Sequence, residues 1–284
     1  MNRDFIRKAT LASPPVRTDG RDFRAFRLSE LRFSKSNGRV EVKVGETFVS
    51  SCVSGEITEP MPDHPNEGRL FFNVEIGQIA NPAKYEYGKP SAEAVSICNY
   101  VERVLRGSKA FDNESLCVLG GRSVWSIRCD IHVLNDGGSL GDVCSIAALC
   151  ALMNFRHEAL SLEGDEAVMH SFSAREPVPI SVHHLPISSS FALYQCGDEV
   201  LYLVDPTAQE EEALSGTMSI AVNQHGELCS VNKPGGLPVD PKTLSECLDV
   251  AIARAKDAAS AIAALLTTSR MARSDGEPAP FCTF

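Results

Sequence analysis

Val124-Trp125-Ser126-Ile127-Arg128-Cys129-Asp130-Ile131-His132-Val133-Leu134 leads through Asp136-Gly137-Gly138-Ser139-Leu140-Gly141 into a long apolar stretch ending near Phe155. The first segment alternates Ile127, Cys129, Ile131 and Val133 with Arg128, Asp130 and His132, the period of a strand with one buried face. From Asp142 the sequence changes period. Val143, Ile146, Ala147, Ala148, Leu149, Cys150 and Leu152 cover nearly every direction around a helix, which must then be buried.

Outward from this unit the chain reads as strands and helices in clusters. Upstream, residues 1–16 read as a short helix with a Pro14-Pro15 exit. Strands are expected at Val40–Val44, Thr47–Ile57 and Leu70–Ile76, a helix over Ser91–Arg106, and another strand at Leu116–Leu119. Downstream, strands are expected at Pro179–His184, Ser189–Gln195, Val200–Val204, Met218–Asn223 and Glu227–Asn232. A helix then runs from Pro241 to about Leu266, and Ser269–Phe284 reads as a polar, mobile tail. The class is α+β, with two β-α halves, about 17–160 and 161–268, in one compact domain.

The 284 residues carry 27 basic and 37 acidic side chains, a formal charge of −10. At 43% hydrophobic and 23% charged, the composition suits a globular chain and excludes a disordered one. An acidic surface disfavours a free-standing nucleic-acid binder. No run of 18 apolar residues is present, so no membrane partner is expected, and the N-terminus has no signal-peptide pattern. The ten cysteines contain no C-x-x-C pair and lie mostly in apolar runs, which argues against zinc and for an intracellular location.

Four constellations carry possible chemistry. Gly137-Gly138-Ser139-Leu140-Gly141 satisfies G-x-S-x-G, the elbow that presents a nucleophilic serine. The half-polar strand before it differs from the doubly covered central strand of a hydrolase. The same loop could cradle phosphate at a helix N-terminus, but Asp142 is expected to cap those N–H groups and to repel an anion. Arg103, Arg106 and Lys109 form a basic stripe at spacing three. They either complement the helix dipole or touch a phosphate backbone. Asp205 with Glu210, Glu211 and Glu212 reads as a solvated charge run, and His183-His184, in a strand, would point to opposite faces.

Several segments carry a family resemblance. Asp19-Gly20-Arg21, Glu67-Gly68-Arg69-Leu70-Phe71-Phe72-Asn73-Val74, Glu114-Ser115-Leu116-Cys117-Val118 and the Val124–Leu134 strand resemble ribonuclease PH-like exosome ring subunits. So do Ser145-Ile146-Ala147-Ala148, Ala174-Arg175-Glu176-Pro177-Val178-Pro179, Val182-His183-His184-Leu185-Pro186-Ile187 and Leu203-Val204-Asp205-Pro206, so that the likeness spans about residues 17 to 265. The resemblance implies the ribonuclease PH fold (ribosomal protein S5 domain 2-like). It also implies a hetero-hexameric ring of such subunits, cap proteins with S1 or KH domains, RNA in a central channel, an associated processive nuclease, and residence in nucleus, nucleolus and cytoplasm.

Active members of the family place a phosphate-binding arginine at the start of the buried helix and two aspartates downstream. Here the arginine position falls on Leu140 or Asp142, and the aspartates near Glu211 and Thr217. The resemblance therefore implies a noncatalytic subunit without cofactors. The active phosphate-dependent 3′→5′ exoribonuclease and a serine hydrolase using Ser139 are the alternatives. Arg103-Val104-Leu105-Arg106 matches the R-x-L-R pattern that related noncatalytic subunits offer to RNA, which makes Arg103 and Arg106 the RNA-binding candidates.

Overall fold

A computed structural model describes residues 3–10, 12, 16–82, 84–85, 91–163, 166–170, 174–196, 199–274 and 282–283. The Pro14-Pro15 exit lies outside them. The first half contains α1 (Arg3–Thr10), β1 (Ser29–Phe33), β2 (Arg39–Val44), β3 (Thr47–Thr58), β4 (Arg69–Ile76), α2 (Ala92–Leu105), β5 (Cys117–Leu119), β6 (Ser123–Asn135) and α3 (Leu140–Asn154). Short strands β7 (Arg156–His157), β8 (Leu160–Glu163), β9 (Glu166–Met169) and β10 (Val178–Pro179) follow. The second half has β11 (Ile187–Cys196), β12 (Glu199–Val204), α4 (Ala208–Ala213), β13 (Gly216–Val222), β14 (Leu228–Asn232), α5 (Pro241–Ser274) and β15 (Cys282–Thr283).

Two sheets face each other across α3. The larger has the order β15-β1-β2-β3-β6-β4, with β5 also on β6, and β4 runs parallel to β6 while the remaining pairs are antiparallel. The smaller is antiparallel, in the order β12-β11-β13-β14. The α3 helix packs on β2, β3 and β6 on one side and on β11 on the other, with α2 beside it. Position explains composition: a helix between two sheets has no solvent face, and Val143 to Leu152 are all buried. One continuous cluster, from Leu31 and Val42 through Leu149 to Leu193 and Ile262, joins both sheets into a single core.

Local chemistry fixes the elements around this layer. Ser91 caps α2 by accepting the Ala94 N–H at 3.0 Å, and Ala94, Ile97, Val101, Val104 and Leu105 supply the buried stripe. In β2, Val40, Val42 and Val44 are buried and alternate with exposed or half-buried Arg39, Glu41 and Lys43, the period two of a one-sided strand.

Several expectations are corrected. Helix α5 continues to Ser274, and Cys282–Thr283 pair with Glu30 and Leu31 of β1, so the polar tail starts later than Ser269 and returns to the sheet. His183 and His184 lie outside any strand; only Val182 makes a bridge, to Phe111. The acidic run after Pro206 is not a solvated loop, because Ala208–Ala213 form α4 and Glu210 is fully buried. Helix α3 begins at Leu140 rather than Asp142.

Candidate functional site: the start of helix α3

The glycine-rich turn is clamped between the two halves. Gly138 has φ +96°, and a Cβ there would stand 2.4 Å from the Ala208 nitrogen, so only glycine permits the approach. Ala208 N–H donates to the Gly137 carbonyl at 3.0 Å, and Thr47 Oγ1 donates to the Gly138 carbonyl at 2.8 Å. Arg27 donates to the same two carbonyls at 2.7 and 3.0 Å. Its guanidinium also grips Asp205 through Nε (3.0 Å) and Nη2 (2.7 Å), and its backbone N–H reaches the same carboxylate at 2.8 Å. Burial alone would raise the Asp205 carboxyl; the Arg27 hydrogen bonds and charge outweigh it and hold the group below the usual carboxylate range.

A second ion pair backs the first. Arg17 donates to Glu210 through Nε at 3.0 Å and Nη2 at 2.8 Å, with both side chains fully buried. Arg17 also donates to the carbonyls of Val204 (2.9 Å) and Asp205 (3.0 Å), so the buried charge has several acceptors. Thr207 and Glu210 form a reciprocal capping box that starts α4. This box fixes the rotation of α4 and therefore the direction of Glu211.

Glu211 points at the start of α3. Its carboxylate accepts the Ser139 N–H at 2.8 Å, occupying a free donor at the positive end of the helix. Burial pushes the Glu211 carboxyl up to about 7; the Ser139 bond opposes this, the charges of Asp136 and Glu93 add to it, and Lys84 opposes it. Lys84 bridges Asp136 at 3.2 Å and Glu93 at 2.8 Å, and the Tyr85 hydroxyl donates to Glu93 at 2.8 Å. The helix start thus meets a carboxylate of its own chain within an acidic cluster that holds one lysine.

Asp142 does not cap α3. Ser139 is the cap residue, in the left-handed region at φ +53° and with no side-chain cap bond. The Asp142 carboxylate turns inward and accepts the hydroxyl of Ser188; burial raises it to about 6, against the Ser188 and Ser190 hydrogen bonds. Leu140 is buried as well, so the two positions that align with the family's phosphate-binding arginine both face the core. Sequence reasoning placed the negative charge on the wrong residue: the anion at the helix start is Glu211.

Ser139 is 3% exposed and its hydroxyl donates to the Pro206 carbonyl at 3.0 Å. A proton held on a backbone carbonyl is not one held by a general base, which counts against a nucleophilic serine. Thr217 sits in β13 opposite Ala192, within the smaller sheet. Among the described residues no group of three or more His, Cys, Asp and Glu side chains could hold a metal ion. No described helix is long and apolar enough to cross a membrane.

Comparison with known proteins decides the family. Residues 22–158 match the ribonuclease PH model described as "3' exoribonuclease family, domain 1", and residues 184–254 match its domain 2. The chain belongs to this family. Its fold is the ribonuclease PH fold, as the resemblance implied. It is 39% identical over 249 residues to exosome complex component RRP45B of Arabidopsis thaliana, covering 87% of this chain and 56% of that protein. It is 38% identical over 243 residues to RRP45A of the same plant, covering 84% and 78%. A structure of the Archaeoglobus fulgidus exosome with RNA bound to the active site superposes with TM-score 0.78 at 31% identity, covering 91% of this chain and 96% of that one.

On this ribonuclease PH framework the RNA-binding candidates stand apart from the α3 site. Arg103 and Arg106 are exposed at the C-terminal end of α2. Arg103 donates to the Asn232 side-chain oxygen at 3.3 Å, and Arg106 pairs with Glu102 at 2.7 Å. Both tethers are solvent-exposed and therefore weak. Arg17, Arg27 and Asp205 were not singled out in pairs from the sequence. Nothing local links residues 178 and 193 positions apart, although the Thr207–Glu210 capping box was a usable signal for α4.

Proposed function

We propose that this chain is a noncatalytic ring subunit of an RNA exosome core, supporting 3′→5′ RNA processing and degradation. In this reading it joins other ribonuclease PH-like subunits in a hetero-hexameric ring that carries S1 or KH cap proteins and delivers RNA to an associated processive nuclease, in nucleus and cytoplasm. Support comes from relatives named as exosome complex components and from the likeness to the archaeal exosome with RNA bound to its active site.

The absence of intrinsic activity rests on one observation: the Glu211 carboxylate takes the Ser139 N–H. A phosphate at that donor would displace a half-buried carboxyl group of the chain itself, with Leu140 and Asp142 turned inward and no guanidinium in their place. Arg103 and Arg106 are assigned to the RNA path, where guanidinium forks suit backbone phosphates without reading sequence.

Affinity purification of the tagged chain from its own cells tests the assembly, with ribonuclease PH-like subunits expected to copurify. Incubating the purified chain with oligo(A) and inorganic phosphate tests the chemistry. No phosphate-dependent release of nucleoside diphosphate is expected; release that stops when phosphate is omitted would establish an active phosphorolytic enzyme instead.

A further inference from the structure

Among the described residues Arg69 has no hydrogen-bond or ion-pair partner. Its Nε is buried with no hydrogen bond, and no carboxylate lies within ion-pair distance of its guanidinium among the described residues. Buried donors in folded proteins are nearly always satisfied by protein, water or a bound group, so this one is open to a partner. The residue is held there deliberately. Gly68, just before it, approaches so closely that a Cβ would stand 2.3 Å from Leu116 Cβ, and its N–H is bound to the Asn113 carbonyl at 2.9 Å.

Arg69 and Arg106 line one small cavity of 60 Å³ together with Asn113, His64 and Glu67. Two guanidinium groups sharing such a space repel unless an anion lies between them. Glu67, which also lines the cavity, faces His64 at 3.4 Å, and Glu102 holds Arg106 through an exposed pair that a phosphate can share, so neither carboxylate is within ion-pair distance of Arg69.

Phe71 is two residues along β4 and therefore on the same face as Arg69. It is 43% exposed and lies opposite Arg128 of β6 in the parallel register. An exposed aromatic ring flanked by arginines is the pattern that receives a stacked base beside a bound phosphate. β4 is the last strand of its sheet, so this face is open at its edge.

We infer that Arg69 and Arg106 together hold one backbone phosphate of single-stranded RNA at the edge of β4, with Phe71 stacking an adjacent base. This extends the RNA path proposed for Arg103 and Arg106 and rests on that reading. The occupant is RNA rather than a peptide carboxylate because Arg106 continues the exposed Arg103 face of α2 and because Phe71 offers a flat partner to a base.

The test is binding of a fluorescent single-stranded oligo(U) to the full chain in its purified complex, across a salt series. Arg69→Met, which keeps the packing of the stem but removes the charge, is expected to weaken binding about tenfold. It should also lower the salt slope by about 0.7, one phosphate's share. Phe71→Ala is expected to weaken binding without changing the slope. The melting temperature of Arg69→Met should be unchanged or higher, since a purely structural arginine would lower it.

Unchanged affinity and slope in Arg69→Met, while Arg103→Glu weakens binding, would overturn the inference and leave the α2 assignment standing. If Arg103→Glu also has no effect, the RNA reading of α2 fails along with it. Equal weakening of an acidic peptide in competition would assign the cavity to a protein partner and equally overturn the proposal.

Discussion

Replacing Glu211 by glutamine removes a charge and keeps the shape. The amide oxygen can still accept the Ser139 N–H, so the turn and α4 should hold their places. What changes is the electrostatic burden of an ionised group that burial drives from its ordinary 4.5 to about 7. At about 1.4 kcal/mol per pH unit this corresponds to about 3 kcal/mol against the ionised form in the folded chain. Below pH 4.5 both folded and unfolded chains carry the proton, and Glu211 has no effect on stability. Between 4.5 and 7 the folded chain keeps a proton that the unfolded chain has lost, so stability falls as pH rises; above 7 the loss is complete.

Thermal melts of wild type and Glu211→Gln from pH 5 to pH 8 provide the assay. The variant should lead by about 2 °C at pH 5 and gain with rising pH to about 6–9 °C at pH 8, at about 2–3 °C per kcal/mol. The difference curve is the informative quantity because other groups titrate in both proteins. Burial raises the Asp142 carboxyl and acts in the same direction. His184, held below 6.5 chiefly by burial, makes stability rise with pH and acts oppositely. Both cancel in the difference. A variant less stable than wild type at pH 8, or an offset independent of pH, would refute the argument from desolvation of this half-buried carboxylate.

Other perturbations probe the clamp and the basic stripe. Arg27→Met leaves the buried Asp205 carboxylate without its main partner and should cost about 3–5 kcal/mol in urea unfolding, part of which Asp205→Asn restores in the double variant. Gly138→Ala forces a side chain into φ +96° and against Ala208; a loss above about 1 kcal/mol is expected, with faster hydrogen exchange at Ser139 than in wild type. Arg103→Glu combined with Arg106→Glu should reduce RNA crosslinking per assembled ring while copurification is retained. Failed assembly with crosslinking per ring unchanged would make the stripe an interface feature.

The β6–α3 unit was legible in the sequence because each part has a period that packing preserves. Alternation in β6 follows from its one solvated face, and the all-apolar helix follows from two sheets covering it. The acidic run was misread for a physical reason. Three consecutive glutamates look equivalent until a helix separates them by about 100° each: Glu210 goes to Arg17, Glu211 to Ser139, and Glu212 to solvent. Asp142 was misassigned because a carboxylate near a helix start usually caps it. With the helix beginning two residues earlier, Asp142 belongs to the first turn and faces Ser188 in the core. Ion pairs such as Arg27 with Asp205 have no local signature, since only the docking of the two halves brings them together.

A crystal of the chain soaked in sulfate addresses the α3 site without reference to activity. The expected map shows Glu211 still bound to the Ser139 N–H and no oxyanion on the Gly138–Asp142 turn. A sulfate seated on that N–H, with Glu211 swung away, would contradict the central claim that this helix start is filled by an anion of the chain itself.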